Sequence, residues 1–237
     1  MLYNLIVARK NNFKKIKLLR LQALLHFQMV VGAILSTFSL IVFLKIGSEI
    51  LEKEILGFDS IITNFVYGFR TSAMTKVMIS LTSLGSPLFL GFIFLIFVVF
   101  LYTRRRKDVF IYSVVLYSGV ILNFILKFMF ERPRPLNIPL IHENTYSFPS
   151  GHAMDSFVFY FALSYFIFRE VGSSKFSALM FVIAGLIVFL VGISRIYLGV
   201  HYPSDVLAGY IAGFMWLISA ILFEKVIIYK RISQNKK

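Results

Sequence analysis

Long apolar blocks separated by short polar ones run along most of this chain of 237 residues. About 20 apolar residues at 1.5 Å each cover the hydrocarbon core of a bilayer. Six blocks read as spans: Leu24–Ile46, Pro87–Tyr102, Val109–Phe130, Pro149–Phe168, Phe176–Ile193 and Pro203–Ile228. Residues 48–86 are mixed, and Asn64, Arg70 and Lys76 interrupt any span there. Asp59 or Ser60 can cap a short helix through about Phe69, and Thr71 or Ser72 another through Thr82. The expected fold class is therefore all-α: a polytopic membrane protein, a six-transmembrane-helix bundle with short interfacial helices between spans one and two.

Charge adds orientation. Lys and Arg cluster at 9–20, at Arg104-Arg105-Arg106-Lys107, at Arg169 and Lys175, and from Lys225 onward. These blocks fall on one side of the six-span scheme, which puts both termini in the cytoplasm. Three regions follow: a basic N-terminal segment over 1–23, a six-span domain over 24–229 and a basic cytoplasmic tail over 230–237. The N-terminal segment reads as an uncleaved topogenic signal, with a surface-lying amphipathic helix as the alternative. A net charge of +14 does not point to nucleic acid, because the basic residues lie in short blocks between apolar segments. With 58% hydrophobic and 15% charged residues, a soluble domain is excluded. The absence of cysteine excludes disulfides, thiol nucleophiles and Cys-based metal sites.

Ionisable residues at span ends carry the chemistry, because they are costly there and usually functional. Lys127 closes span three and Arg134-Pro135 follows it. Pro149-Ser150-Gly151-His152 opens span four. Ser194-Arg195 closes span five, with His201 and Asp205 before span six. Consecutive spans bring all of them to one face of the bilayer. Lys127, Arg134 and Arg195 suit an anion, and Ser150 and Gly151 stand at a helix N-terminus, where free N–H groups favour one. His201 can act as a nucleophile through one ring nitrogen while Asp205 holds the other.

The patterns K-x6-R-P, P-S-G-H and S-R-x5-H-x3-D resemble the three-part signature of the type 2 phosphatidic acid phosphatase family, whose site is similar to that of the vanadium haloperoxidases. The resemblance covers roughly Asp59 to Tyr229. It implies that His201 attacks phosphorus and forms a phosphohistidine, Asp205 orients it, and His152 is the acid and then the base. It implies that Lys127, Arg134, Arg195, Ser150 and Gly151 bind the phosphoryl oxygens. No cofactor and no metal are expected. The expected partners are the bilayer and a lipid phosphate of the undecaprenyl diphosphate, phosphatidylglycerol phosphate or phosphatidic acid type, hydrolysed at the extracytoplasmic face. A lipid phosphotransferase and a non-catalytic lipid-binding or scrambling protein are the rival readings. Around the motifs, His26 and His142 read as interfacial and loop histidines, and Arg132 as a surface arginine that could otherwise widen the anion site. Asp155 reads as an orienter of His152 or a polar contact, and Asn123 as a bundle hydrogen bond or an orienter of Lys127.

Overall fold

A computed structural model describes the backbone of residues 2–136 and 139–234, and the side chains of residues 19–99, 106–136 and 139–234. The elements are α1 (Leu2–Leu51), α2 (Leu56–Tyr67), α3 (Ser72–Ser83), α4 (Pro87–Phe130), α5 (Gly151–Val171), α6 (Lys175–Tyr197) and α7 (Pro203–Gln234). The all-α expectation holds for the described residues. The side chains of the N-terminal segment up to residue 18, and residues 235–237 of the tail, lie outside them.

Local chemistry sets most of the helix starts. The Thr71 hydroxyl accepts from the Met74 N–H at 3.1 Å and opens α3. Ser86 accepts from the Phe89 N–H ahead of Pro87, the first residue of α4. Ser174 does the same for α6. These are N-caps of the usual kind. The expected Asp59 cap of α2 is not formed. That helix starts at Leu56 without a side-chain cap, and the Asp59 carboxylate is buried against other partners.

A second correction concerns Arg104–Lys107. The expected break there is absent, and α4 runs 44 residues without interruption. Arg and Lys are good helix formers and no Gly or Pro lies among them, so charge alone does not end a helix. Four helical stretches are long and apolar enough to cross a membrane: Leu19–Leu51, Arg106–Phe130, Lys175–Tyr197 and Pro203–Gln234. The pair Ser72–Ser83 and Pro87–Val99, bent by 44°, makes a fifth if it counts as one span. The fold is thus a multi-pass membrane protein with four or five candidate spans. On α1, Phe27, Ile34, Phe38 and Ile41 are exposed and fall near one face, as lipid-facing residues do.

The chain forms two compact units. In the unit of residues 1–38 and 218–237, Leu222 packs on the backbone of Gly32 and Ser36 hydrogen-bonds Ser219 at 2.9 Å. The unit of residues 39–217 contains the candidate site. One core cluster joins Phe43, Ile46, Phe148, Met154, Ala208 and Ala212, and another joins Val66, Ala153, Ile196, Leu198 and Val206. Small residues let α5 and α7 approach closely, because without a hydrophobic drive between lipid-embedded helices contact distance matters most. A side chain on Gly209 would meet the Ser150 carbonyl oxygen at 2.8 Å, and one on Gly213 the Met154 carbonyl oxygen at 3.1 Å. Polar side chains in this apolar setting bond to carbonyls of neighbouring helices, as with Tyr112 to Phe159, Tyr210 to Val188 and Trp216 to Val115.

Replacing Gly209 by Ala should therefore destabilise the protein by about 1–3 kcal/mol, the usual cost of overpacking. Gly91→Ala, on a stretch of α4 with open space around the added methyl, should be neutral or stabilising by up to about 1 kcal/mol. Unfolding of both variants in one detergent measures this; equal stability would contradict the packing account.

Candidate active site

Four helix ends meet around one loop. At the end of α4, Glu131 turns left-handed (φ 45°) and terminates the helix. Pro133 and Pro135 then hold the chain extended. Extended backbone sends alternate side chains to the same side, so Arg132 and Arg134 both reach inward. The loop is tied down by main-chain bonds from Ser147 N–H to Arg132 and from Leu140 N–H to Leu198. The Ser150 N–H bonds to the Asp205 carbonyl at 3.0 Å, which joins the starts of α5 and α7. Gly199 (φ 77°) makes the turn from α6 toward α7, where a side chain would also strike Arg70.

His201 lies at the centre, buried. Its Nε2 is 3.3 Å from an Arg134 guanidinium nitrogen. Its Nδ1 is 3.5 Å from Asp205 Oδ2 and 3.4 Å from Ser147 Oγ. A cation on one side and a carboxylate on the other favour the neutral tautomer with its proton on Nδ1 and a lone pair on Nε2. Burial lowers the His201 pKa well below the usual value, and Arg195, Arg134 and Lys127 lower it further. Asp205 is held in turn: Oδ2 accepts from Ser147 Oγ and from the Tyr202 N–H at 2.9 Å, and Oδ1 accepts from Arg132 at 2.6 Å.

The cations are fixed largely by main-chain oxygens. Arg134 donates to the carbonyls of Thr145 at 2.6 Å and Val200 at 2.7 Å. Lys127 donates to the carbonyl of Tyr146 at 2.6 Å. Arg195 donates to Thr82 Oγ1 at 2.9 Å and to the carboxylate of Glu143. Burial works to raise the Glu143 pKa, but the ion pair with Arg195 outweighs it and holds the group ionised. Arg195 Nε and Ser150 Oγ are buried without a hydrogen-bond partner among the described residues. Buried donors of that kind call for an acceptor, and an anion between the α5 N-terminus and Arg195 would supply one.

All eight expected residues belong to this region. Lys127, Arg134, Arg195, His201 and His152 act on one another electrostatically. Ser150 caps α5 by position only, since its hydroxyl makes no capping bond. Gly151 packs beside Asn123, 3.1 Å from where its side chain would begin. His152, on the first turn of α5, lies against Gly85 and in the field of Arg195, Glu143, Arg134 and Lys127.

The neighbours sort as follows. Asn123 bonds to Met154 Sδ within the bundle and does not orient Lys127. Asp155 makes no bond to His152, and its Oδ2 lies toward Gly151. His142 is exposed on the loop. The surface reading of Arg132 is overturned: it is 7% exposed and bridges Asp205 and Asp59. Sequence reading also passed over Ser147, Glu143 and Thr82. The alternation of Arg132 and Arg134 between prolines was a usable signal for the first arginine; none pointed to Asp59.

Buried cations around a carboxylate-backed histidine, set in a bundle of apolar helices, are suited to holding an anion beside a nucleophile. Residues 108–228 match the PAP2 superfamily. Phosphatidylglycerophosphatase B of Bacillus subtilis (strain 168) is 34% identical over 195 residues, which are 81% of this chain and 95% of that protein. The crystal structure of a transmembrane PAP2-type phosphatidylglycerolphosphate phosphatase from Bacillus subtilis superposes with a TM-score of 0.76 at 32% identity. It covers 81% of this chain and 96% of the other. A putative undecaprenyl-diphosphatase of Escherichia coli, YbjG, is 31% identical over 133 residues, 54% of this chain and 63% of that one. The chain belongs to the PAP2 superfamily and is a membrane lipid phosphate phosphatase of the metal-independent kind.

The depressed His201 pKa carries a pH expectation. A neutral His201 should persist as pH falls through 6.5, where a free imidazole protonates. Arg134→Gln removes one depressing cation and should move that titration upward. Ring carbon-13 chemical shifts of His201 in detergent measure both; protonation at or above 6.5 in the unaltered protein would contradict the electrostatics.

Proposed function

We propose that the protein hydrolyses the phosphate end of a membrane lipid at the extracytoplasmic face through a phosphohistidine on His201. The observation that carries this is the His201 ring, with Nε2 toward Arg134 and Nδ1 toward Asp205. Nε2 attacks phosphorus as the bond to the lipid oxygen breaks, and His152 gives that oxygen its proton. His152 then takes a proton from water, whose oxygen attacks the phosphohistidine; the P–N bond breaks and inorganic phosphate leaves. Asp205 stabilises the positive ring of the intermediate. Lys127, Arg134, Arg195, Ser150 and the Gly151 N–H hold the phosphoryl oxygens and meet the charge that builds up on them.

Phosphatidylglycerol phosphate is the lipid we put first, because the relative matched over nearly its whole length is a phosphatidylglycerophosphatase. Undecaprenyl diphosphate and phosphatidic acid present the same terminal phosphate and follow it. In the bilayer we assign six spans. At 1.5 Å per residue α4 is about 66 Å long, roughly twice the hydrocarbon thickness of about 30 Å, and its basic block 104–107 falls near the middle. A continuous helix cannot double back, so this assignment requires α4 to open into a turn at 104–107 in the bilayer, letting its two apolar halves cross separately and meet at the cytoplasmic face, with α1, α5, α6 and α7 as the other four. Both termini are cytoplasmic and the loop of residues 131–150 is outside.

Rapid-quench labelling with a phosphorus-labelled lipid should find phosphohistidine at His201 in the wild type and none in His201→Ala. His152→Ala should slow turnover about 10²–10⁴-fold and accumulate the intermediate when the leaving group is p-nitrophenolate, which departs without a proton. A label on His152, or one that persists in His201→Ala, would reverse these roles.

Orientation has its own test. The chain has no cysteine, and Leu136 on the outer loop is 93% exposed. Leu136→Cys should react with an impermeant thiol reagent on intact cells; reaction only after lysis would place the site in the cytoplasm.

A further inference from the structure

Behind Asp205, on the side away from His201, lies a second buried carboxylate that the hydrolysis scheme does not use. Asp59 is on α2 and is 2% exposed. Arg132 stands between the two acids, with one terminal nitrogen 2.6 Å from Asp205 Oδ1 and the other 2.7 Å from Asp59 Oδ2. Ser204 closes the cluster. Its N–H donates to Asp59 Oδ1 at 2.9 Å and its hydroxyl to Asp59 Oδ2 at 2.7 Å, while Arg132 donates to that hydroxyl at 2.7 Å. The Tyr202 ring stacks under the guanidinium at 4.1 Å.

The charges decide what such a cluster does. Asp205 paired with Arg132 alone would be neutralised, and a neutralised pair stabilises a positive imidazole ring poorly. Asp59 takes the other arm of the fork and returns the cluster to a net charge of −1. One arm of the fork holds Asp205 Oδ1 while Ser147 and the Tyr202 N–H hold Oδ2, so the carboxylate is oriented from both oxygens. Purely structural buried ion pairs are poor stabilisers compared with apolar packing, so stability alone does not account for three charged groups here.

We propose that Asp59 and Arg132 are positioning residues, a buried relay Asp59–Arg132–Asp205 that orients Asp205 and keeps its negative charge available to His201. The proposal rests on the nucleophilic role given to His201 above. The relay acts on the chemical step and not on phosphate binding, so its loss should appear in kcat.

Asp59→Asn keeps the shape and removes the charge. It should lower kcat about 10–100-fold, the usual effect of losing a group that orients a functional histidine from behind. KM for the lipid and the inhibition constant of inorganic phosphate should stay within about twofold, since the cations that hold the anion are untouched. Arg132→Lys keeps the charge, loses the fork and should show the same split. In an Asp205→Asn background, Asp59→Asn should change kcat less than about twofold, because the group it acts through is already disabled. Ser204→Ala is the milder variant should Asp59→Asn fail to give folded protein, with a loss of several-fold that likewise disappears in Asp205→Asn. Equal kcat losses in both backgrounds, a parallel change in inhibition by inorganic phosphate, or an unchanged kcat would each overturn the relay. His201→Ala in the same assay keeps the two readings apart. Phosphate release that survives it overturns the phosphohistidine scheme, whereas a His201-dependent enzyme indifferent to Asp59 overturns only the relay.

Discussion

Asp205 is a carboxylate with no exposed surface, and much of the site is arranged around the need to keep it charged. Moving such a group out of water costs several kcal/mol even after relaxation. A cation, a hydroxyl and a main-chain N–H offset that cost, coming from the loop after α4, the residues before α5 and the turn before α7. Each offset also fastens one part of the chain to another. The same contacts that satisfy the Asp205 carboxylate therefore hold the starts of α5 and α7 together, and His201 is located as a by-product.

The anion site is built on another principle. Arg134 and Lys127 are steered by carbonyl oxygens, which orient a cation without cancelling it. Carbonyls carry partial charge only, so these two cations keep a positive potential, whereas Glu143 offsets part of the charge of Arg195. The helix N-terminus at Ser150 adds to it. A terminal phosphate at the membrane surface meets a preorganised field rather than a flexible cluster of lysines, and preorganisation is where most of the catalytic advantage of such sites lies.

How far this was readable in the sequence depends on range. The ends of α5 and α6 and the start of α7 follow from caps, prolines and apolar length, and the three motifs sit where those ends meet. Short-range signals sufficed there. Two features escaped. The helix through Arg104–Lys107 is continuous because nothing in those residues disfavours helical backbone, whatever they do to the energy of crossing lipid. Asp59 and Ser60 both suit a cap, because a short polar residue ahead of an apolar run usually is one. The real partner of Asp59, Arg132, is 73 residues away, and nothing local encodes a contact of that range. Arg132 itself sat between two prolines in an extended segment, a period-two pattern that could have been read.

The bond between Arg195 and Glu143 has a consequence for the end of the catalytic cycle. A guanidinium 1% exposed would grip inorganic phosphate strongly, and slow product departure limits many enzymes. Here a tethered carboxylate holds a terminal nitrogen of that guanidinium, beside the Nε left without a partner. On the phosphate-binding role proposed for Arg195, Glu143 would offset the guanidinium charge before the anion arrives and after it leaves. A guanidinium already paired in this way would hold phosphate less tightly than a bare one, which favours product departure.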